Sequence, residues 1–80
     1  MYNNRYNRAV GIAEFIIEGH TIKETIEEFR VSKETIKRDM IFLQGYGMGE
    51  QLKRNEELFK KVQNQLYRNK HQPRRKVALK

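Results

Sequence analysis

The stretch that decides the fold is TIKETIEEFRVSKETIKRDM, residues 21–40, because it contains two helix starts close together. Thr21 and Glu24 have the spacing of a capping box, in which each side chain accepts a hydrogen bond from the other residue's backbone N–H. Ser32 is a second residue of the type that caps helix N-termini, and Ile36 follows it within the first turn. The sequence therefore predicts two short helices joined by a tight turn, the first over about residues 22–30 and the second over residues 33–43.

Apolar residues lie where a helix-turn-helix unit needs them. Val31 can fill the turn, and one face of each helix is apolar. The predicted buried positions on the two helices are Ile22, Ile26, Phe29, Ile36 and Met40. A third helix must cover this shared face. Residues 4–18 supply it, because apolar residues recur there at three- and four-residue spacing and Gly19 follows as a helix stop.

A fourth helix is predicted from about residue 50 to residue 69, ahead of Pro73, which cannot continue a helix. Its apolar side consists of Leu52, Leu58, Phe59, Val62 and Leu66. The connection QGYGMGE, residues 44–50, has three alternating glycines and is predicted to be flexible. The predicted fold is all-α, with a helix-turn-helix core over residues 1–45, a C-terminal region over residues 46–72 whose basic helix is packed on or linked to the core, and a flexible basic tail over residues 73–80.

Charge is distributed unevenly along the chain, whose formal net charge is +7. Residues 1–50 contain 7 Lys+Arg and 8 Asp+Glu, a net charge of −1, whereas residues 51–80 contain 10 Lys+Arg and 2 Asp+Glu, a net charge of +8. A basic end favours a polyanionic partner, either nucleic acid or an anionic membrane. No apolar run has membrane-spanning length and no N-terminal signal sequence is present, so we expect a soluble, cytoplasmic protein.

Polar residues on the second helix of the pair indicate how such a partner is bound. In a helix-turn-helix unit this helix lies in the major groove of double-stranded DNA with its first turns deepest. The candidate base-binding residues are Lys33, Glu34, Lys37 and Arg38, since Lys and Arg match guanine acceptors and Glu matches the cytosine amino group. Residues near the two helix N-termini are the candidates for backbone phosphate contacts. They are Thr21, Lys23, Ser32 and Thr35.

The motif IEEFRVSKETIKRDM resembles the core of the stage III sporulation protein D family of bacterial transcription regulators. The later segment LFKKVQNQLYRNK is similar to the family's basic C-terminal helix, so the resemblance covers about residues 8–72. It implies sequence-specific DNA binding, activation or repression of transcription, and recognition through the four residues of the third helix. It also implies additional DNA contacts from a C-terminal basic region. That region falls near Arg68, Lys70, Arg74, Arg75 and Lys76.

One residue departs from the family pattern at the turn, where Arg30 stands in place of the usual glycine. The turn normally needs a positive φ, which glycine adopts without strain. We therefore expect Arg30 in the left-handed region, kept because its guanidinium reaches a phosphate or the carboxylate of Glu27 or Glu28.

Other classes of function have weaker support in the sequence. No catalytic motif is present, so no enzyme activity is expected. The only histidines, His20 and His71, have no cysteine partners, so neither a metal nor another cofactor is expected. The fourth helix can pack on the core, which we favour in a monomer, or form a dimer. The alternative function is a small accessory factor that docks on a protein such as RNA polymerase through that helix, or that binds RNA through the tail.

Overall fold

The computed structural model describes residues 4–71, without the side chains of residues 4, 70 and 71. It contains four helices: α1 Asn4–Ile17, α2 Ile22–Phe29, α3 Lys33–Gln44 and α4 Glu50–His71. No strand occurs in this part of the chain. The predicted all-α, helix-turn-helix fold is confirmed over these residues, and the predicted helix ends lie within about two residues of the observed ones, as is usual for frayed termini. The predicted tail lies outside the described residues.

The core is centred on α1, which packs against each of the other three helices. Of the apolar residues that are buried within residues 5–69, half belong to α1, three belong to α3 and one belongs to α4. They are Ala9, Ile12, Ala13, Ile16, Ile36, Met40, Leu43 and Val62. Small residues at positions 9 and 13 allow close approach of neighbouring helices, so a short chain can build a continuous core around one central helix.

The turn between α2 and α3 has the predicted strained residue. Arg30 has φ 55° and ψ 49°, and it is the single non-glycine residue with positive φ among residues 4–71. The backbone N–H of Val31 donates to the carbonyl oxygen of Ile26 at 3.3 Å, which closes the end of α2. This left-handed residue is the C-cap of α2, and Ser32 caps the start of α3 two residues later. The prediction of a positive φ at Arg30 is confirmed.

The packing of α2 differs from the sequence prediction in one respect. The residue that is fully buried on this helix is Thr25, whereas Ile22, Ile26 and Phe29 are partly buried at the edge of the core. The Thr25 hydroxyl donates to the carbonyl oxygen of Thr21 at 2.8 Å. Because its hydroxyl is satisfied within the helix, Thr25 can occupy a core position that apolar periodicity does not identify.

The fourth helix packs against α1 and α3 and is not detached from the core. Val62 is buried, and Leu58, Phe59 and Leu66 pack against the core while remaining partly exposed. This helix continues to His71, two residues beyond the predicted end. The apolar side of α4 is therefore used largely within the chain.

The connection between α3 and α4 is shorter than predicted, because Gln44 and Glu50 belong to the helices. Gly47 and Gly49 have positive φ, which explains the need for glycine at these two positions. Tyr46 lies between the rings of Tyr6 and Phe42, with ring centroids 4.6 Å and 5.1 Å away. Tyr46 thus contacts both α1 and α3, and the flexibility of the connection stays a prediction.

Candidate nucleic-acid interface

The four candidate base-binding residues lie on the solvent-exposed side of α3. All four side chains are exposed, whereas Ile36 on the opposite side is buried. Residues four apart on a helix are neighbours. Lys33 and Lys37 therefore form one row, and Glu34 and Arg38 form a second row beside it. The two rows occupy the first turns of α3, where a recognition helix enters deepest.

Apolar surface adjoins the first of these rows. A groove of about 480 Å³ is lined mainly by α3 and α4, and Lys33 and Lys37 are among its lining residues. Its other lining residues are Ile22, Ile36, Met40, Ile41, Phe59, Val62, Gln63 and Leu66. Ile41 is 66% exposed and follows Lys37 by one turn. The exposed side of α3 therefore presents two lysines beside apolar groups of the kind that can contact a thymine methyl.

The start of α2 forms the predicted capping box. The backbone N–H of Glu24 donates to the Thr21 hydroxyl at 3.1 Å, and the backbone N–H of Thr21 donates to the Glu24 carboxylate at 3.0 Å. The hydrogen bond from the Thr21 backbone, helped by one from His20, holds the pKa of Glu24 below its ordinary value. Because these groups bind each other, the N–H groups of Ile22 and Lys23 are the ones left for a phosphate.

The start of α3 is capped in a similar way. Ser32 accepts a hydrogen bond from the backbone N–H of Thr35 at 3.1 Å, and the two hydroxyls lie 3.0 Å apart. Both side chains predicted to contact the DNA backbone are thus also used in the cap. A hydroxyl can donate and accept at once, so a phosphate contact is compatible with the cap. The cap fixes where these hydroxyls point.

One charged cluster beside α3 is not identified by the sequence analysis. Asp39 is completely buried, and it accepts hydrogen bonds from Arg8 Nε at 2.7 Å, Arg8 Nη2 at 3.1 Å and Arg5 Nε at 3.3 Å. A usable indication exists in the sequence: Asp39 lies three residues after Ile36 and four before Leu43, which is a core spacing. A carboxylate at such a position requires cationic partners, and Arg5 and Arg8 share one face of α1.

The remaining predicted contacts belong to the C-terminal part of the chain. Arg68 is exposed on α4, and since it lies two positions after Leu66, it points away from the groove that Leu66 lines. Lys70 belongs to the last turn of α4, but its side chain is not described. Arg74, Arg75 and Lys76 lie outside the described residues. Arg68 is therefore the one residue of this set whose side chain is described, and the structure does not bring it together with the exposed face of α3.

The described part of the chain, residues 4–71, contains neither a metal-binding cluster nor a membrane-spanning helix. No group of His, Cys, Asp and Glu side chains in this range could hold a metal ion. No helix in the same range is long and apolar enough to cross a membrane.

Comparison with known proteins gives one result. The family model described as stage III sporulation protein D matches residues 3–77, which is nearly the whole chain. No curated protein and no solved structure matches significantly.

Proposed function

The chain belongs to the stage III sporulation protein D family, a family of DNA-binding regulators of sporulation, and on that premise we propose that it binds double-stranded DNA sequence-specifically and regulates transcription. In this proposal α3 enters the major groove and Lys33, Glu34, Lys37 and Arg38 contact base edges. The observation that carries the proposal is the grouping of these exposed side chains on the first turns of α3 within a helix-turn-helix fold.

Phosphate contacts on one side of the recognition helix come from the start of α2. Thr21 and Lys23 flank Ile22, which lines the groove beside Lys33 and Lys37. The capping box leaves backbone N–H groups of this turn available, and the helix dipole favours an anion there. Ser32 and Thr35 add hydroxyl donors at the start of α3. The C-terminal residues Arg68, Lys70, Arg74, Arg75 and Lys76 add further backbone contacts in this proposal.

The alternative functions involve α4 or the tail. Docking of α4 on another protein, including RNA polymerase, or dimer formation through α4 would need its apolar side. That side packs on α1 and α3, with Val62 fully buried. A monomer that uses α3 for DNA therefore fits the packing better than an accessory factor that uses α4. RNA binding through the tail would not involve α3, so it would not explain why four exposed polar side chains are grouped on the first turns of α3.

A random-site selection on duplex DNA tests the proposal. The full chain is incubated with a random duplex library, bound duplexes are amplified over several rounds, and the enriched sequences are compared. We expect one short motif to emerge, because base contacts discriminate by about 1–3 kcal/mol for each good bidentate pair. A variant with Lys37→Ala and Arg38→Ala is the matched control, and it should lose the motif. Binding without an enriched motif, or tighter binding to single-stranded RNA than to duplex, would contradict the proposal.

A further inference from the structure

Arg5 and Arg8 of α1 both bind the buried carboxylate of Asp39, which holds the two cations beside α3. Asp39 has no exposed surface, whereas the side chains of Arg5 and Arg8 are 50% and 40% exposed. Arg8 makes a two-pronged contact with the carboxylate, and Arg5 contacts one of its oxygens. Each guanidinium is thus anchored on its inner side and open to solvent on its outer side.

Both arginines keep hydrogen-bond donors for a second anion. A guanidinium has five N–H donors; Asp39 takes two from Arg8 and one from Arg5. The hydrogen bonds to Asp39 raise the pKa of Arg8 above its ordinary value, so this group stays charged. Two cations on one carboxylate leave a net positive charge at the surface. A carboxylate that fixes a guanidinium also lowers the entropy lost when the outer donors bind a phosphate.

The cluster adjoins the candidate recognition face. The Arg5 guanidinium lies over the ring of Phe42, 4.5 Å from its centroid. Phe42 follows Arg38 by one turn of α3, so the two side chains are neighbours on the helix surface. Arg5 and Arg8 therefore flank the row that contains Arg38, whereas the start of α2 lies on the opposite flank, where Ile22 lines the groove beside Lys33 and Lys37.

The width of the major groove determines which groups beside α3 can reach the phosphates of the DNA backbone. The groove is about 12 Å wide, close to the diameter of a helix with its side chains, so groups packed on either flank of a recognition helix meet the sugar–phosphate walls. The start of α2 faces one wall. Arg5 and Arg8 face the other.

We propose that Arg5 and Arg8 bind a backbone phosphate on the strand opposite the one contacted by α2, with Asp39 as the residue that positions both guanidinium groups. This inference rests on the proposed function, because it requires α3 in the major groove. The competing explanation is that the cluster only joins α1 to α3. A structural role affects the melting temperature, but it does not affect the number of counterions released on DNA binding.

The salt dependence of binding to a fluorescein-labelled 20-base-pair duplex of mixed sequence distinguishes these explanations. Each phosphate contact contributes about 0.9 to the slope of log K against log[salt]. We expect Arg5→Gln to lower the magnitude of the slope by about 0.9, and Arg5→Lys, which keeps the charge, to restore most of it. Lys53→Gln is the matched control, because it also removes one exposed positive charge. Lys53 lies on α4, near Glu50 and Glu57. This control should leave the slope unchanged.

Asp39→Asn provides a second test, in which charge and positioning predict opposite results. The substitution makes the protein more positive by one charge, so long-range attraction alone predicts tighter binding. Loss of the positioning carboxylate predicts weaker binding and a smaller slope, which is the result we expect. Each variant is first melted by circular dichroism, and if Asp39→Asn does not fold, Arg5→Gln decides the question. An Arg5→Gln slope equal to that of the Lys53→Gln control overturns the inference, while failure of the wild-type chain to bind the duplex overturns the proposed function instead.

Discussion

The ring of Tyr6 stacks on the ring of Tyr46, with centroids 4.6 Å apart and planes inclined by 24°. This contact joins the start of α1 to the connection between α3 and α4. Buried Asn55 of α4 completes the arrangement, since its amide nitrogen donates to the Tyr46 carbonyl oxygen at 3.0 Å and its amide oxygen accepts from the Tyr6 hydroxyl at 3.2 Å. One amide side chain thus fixes the connection and the position of α4 relative to α1.

We expect Asn55→Ala to destabilise the chain by about 1–3 kcal/mol, because it leaves the Tyr46 carbonyl oxygen without its donor and opens space in the packed interior. Tyr6→Phe should cost less, about 1 kcal/mol, since it removes the hydroxyl that donates to Asn55 but keeps the stacked ring. Urea unfolding followed by circular dichroism measures both. Asn64→Ala, at an exposed position of the same helix, is the control and should have little effect. A loss at Asn55 no larger than at Asn64 would contradict this role.

Arg38 and Lys23 should differ in how they affect DNA binding. In the proposed complex Arg38 contacts a base edge, whereas Lys23 contacts a phosphate that every sequence offers. Arg38→Ala should weaken binding to the selected site by about 1–3 kcal/mol and affect a random duplex much less. Lys23→Ala should weaken binding to both duplexes equally. Fluorescence anisotropy at one fixed salt concentration measures the four affinities, and equal losses for Arg38→Ala on both duplexes would remove it from the base-contacting set.

The tail makes a separate prediction about electrostatics. Arg74, Arg75, Lys76 and Lys80 follow Pro73 with no acidic residue among them. Truncation after Gln72 should weaken DNA binding and reduce the salt slope by about 0.9 for each phosphate contact removed. The melting temperature should change little, because the four helices α1 to α4 all lie before the cut. A truncated chain with the wild-type slope would show that the tail does not contact DNA.

The capping box predicts a pH dependence of stability. The backbone N–H of Thr21 and the side chain of His20 hold the pKa of Glu24 below its ordinary value. A carboxylate whose pKa is lower in the folded state stabilises that state above its unfolded pKa, and the stabilisation is lost as pH falls through the folded pKa. Glu24→Gln should therefore flatten the fall in melting temperature between about pH 6 and pH 3. Glu28→Gln, an exposed position outside the box, should leave that fall close to the wild-type curve.

The helices were predictable because their determinants are local. The apolar spacing of α1, the caps at Thr21 and Ser32, and Gly19 after α1 each act within a few residues, so the order and approximate ends of the helices follow from the sequence. The grouping of Lys33 and Lys37 on one exposed row of α3 follows from helix geometry for the same reason.

The polar interior was not predicted, because its partners are distant in sequence. Asp39 depends on two arginines of α1, and Asn55 depends on Tyr6 and on the backbone of Tyr46. Apolar spacing identifies only those residues that favour burial whatever their neighbours are. A carboxylate or an amide is buried only where a specific group forms a hydrogen bond with it. Prediction of these positions requires the tertiary arrangement that they help to stabilise.

Arg30 gives the last prediction, in which stability and DNA binding change in opposite directions. Its φ of 55° carries the steric cost of a Cβ in the left-handed region, about 1–2 kcal/mol, which glycine avoids. Among residues 4–71, no ion pair joins Arg30 to Glu27 or Glu28. A contact with one of these carboxylates therefore does not explain the arginine at this position, and contact with a DNA phosphate is the explanation that remains.

We expect Arg30→Gly to stabilise the free protein by about 1 kcal/mol, because part of the relieved strain is offset by the greater freedom of glycine in the unfolded state. In a small domain a change of this size raises the melting temperature by a few degrees. Arg30→Ala is the matched control, since it removes the same charge but keeps the Cβ and therefore the strain, so its melting temperature should not rise. Both variants should bind duplex DNA more weakly than wild type and by the same factor, because both lack the guanidinium. A lower melting temperature for Arg30→Gly would contradict the strain, and wild-type affinity in both variants would contradict the phosphate contact.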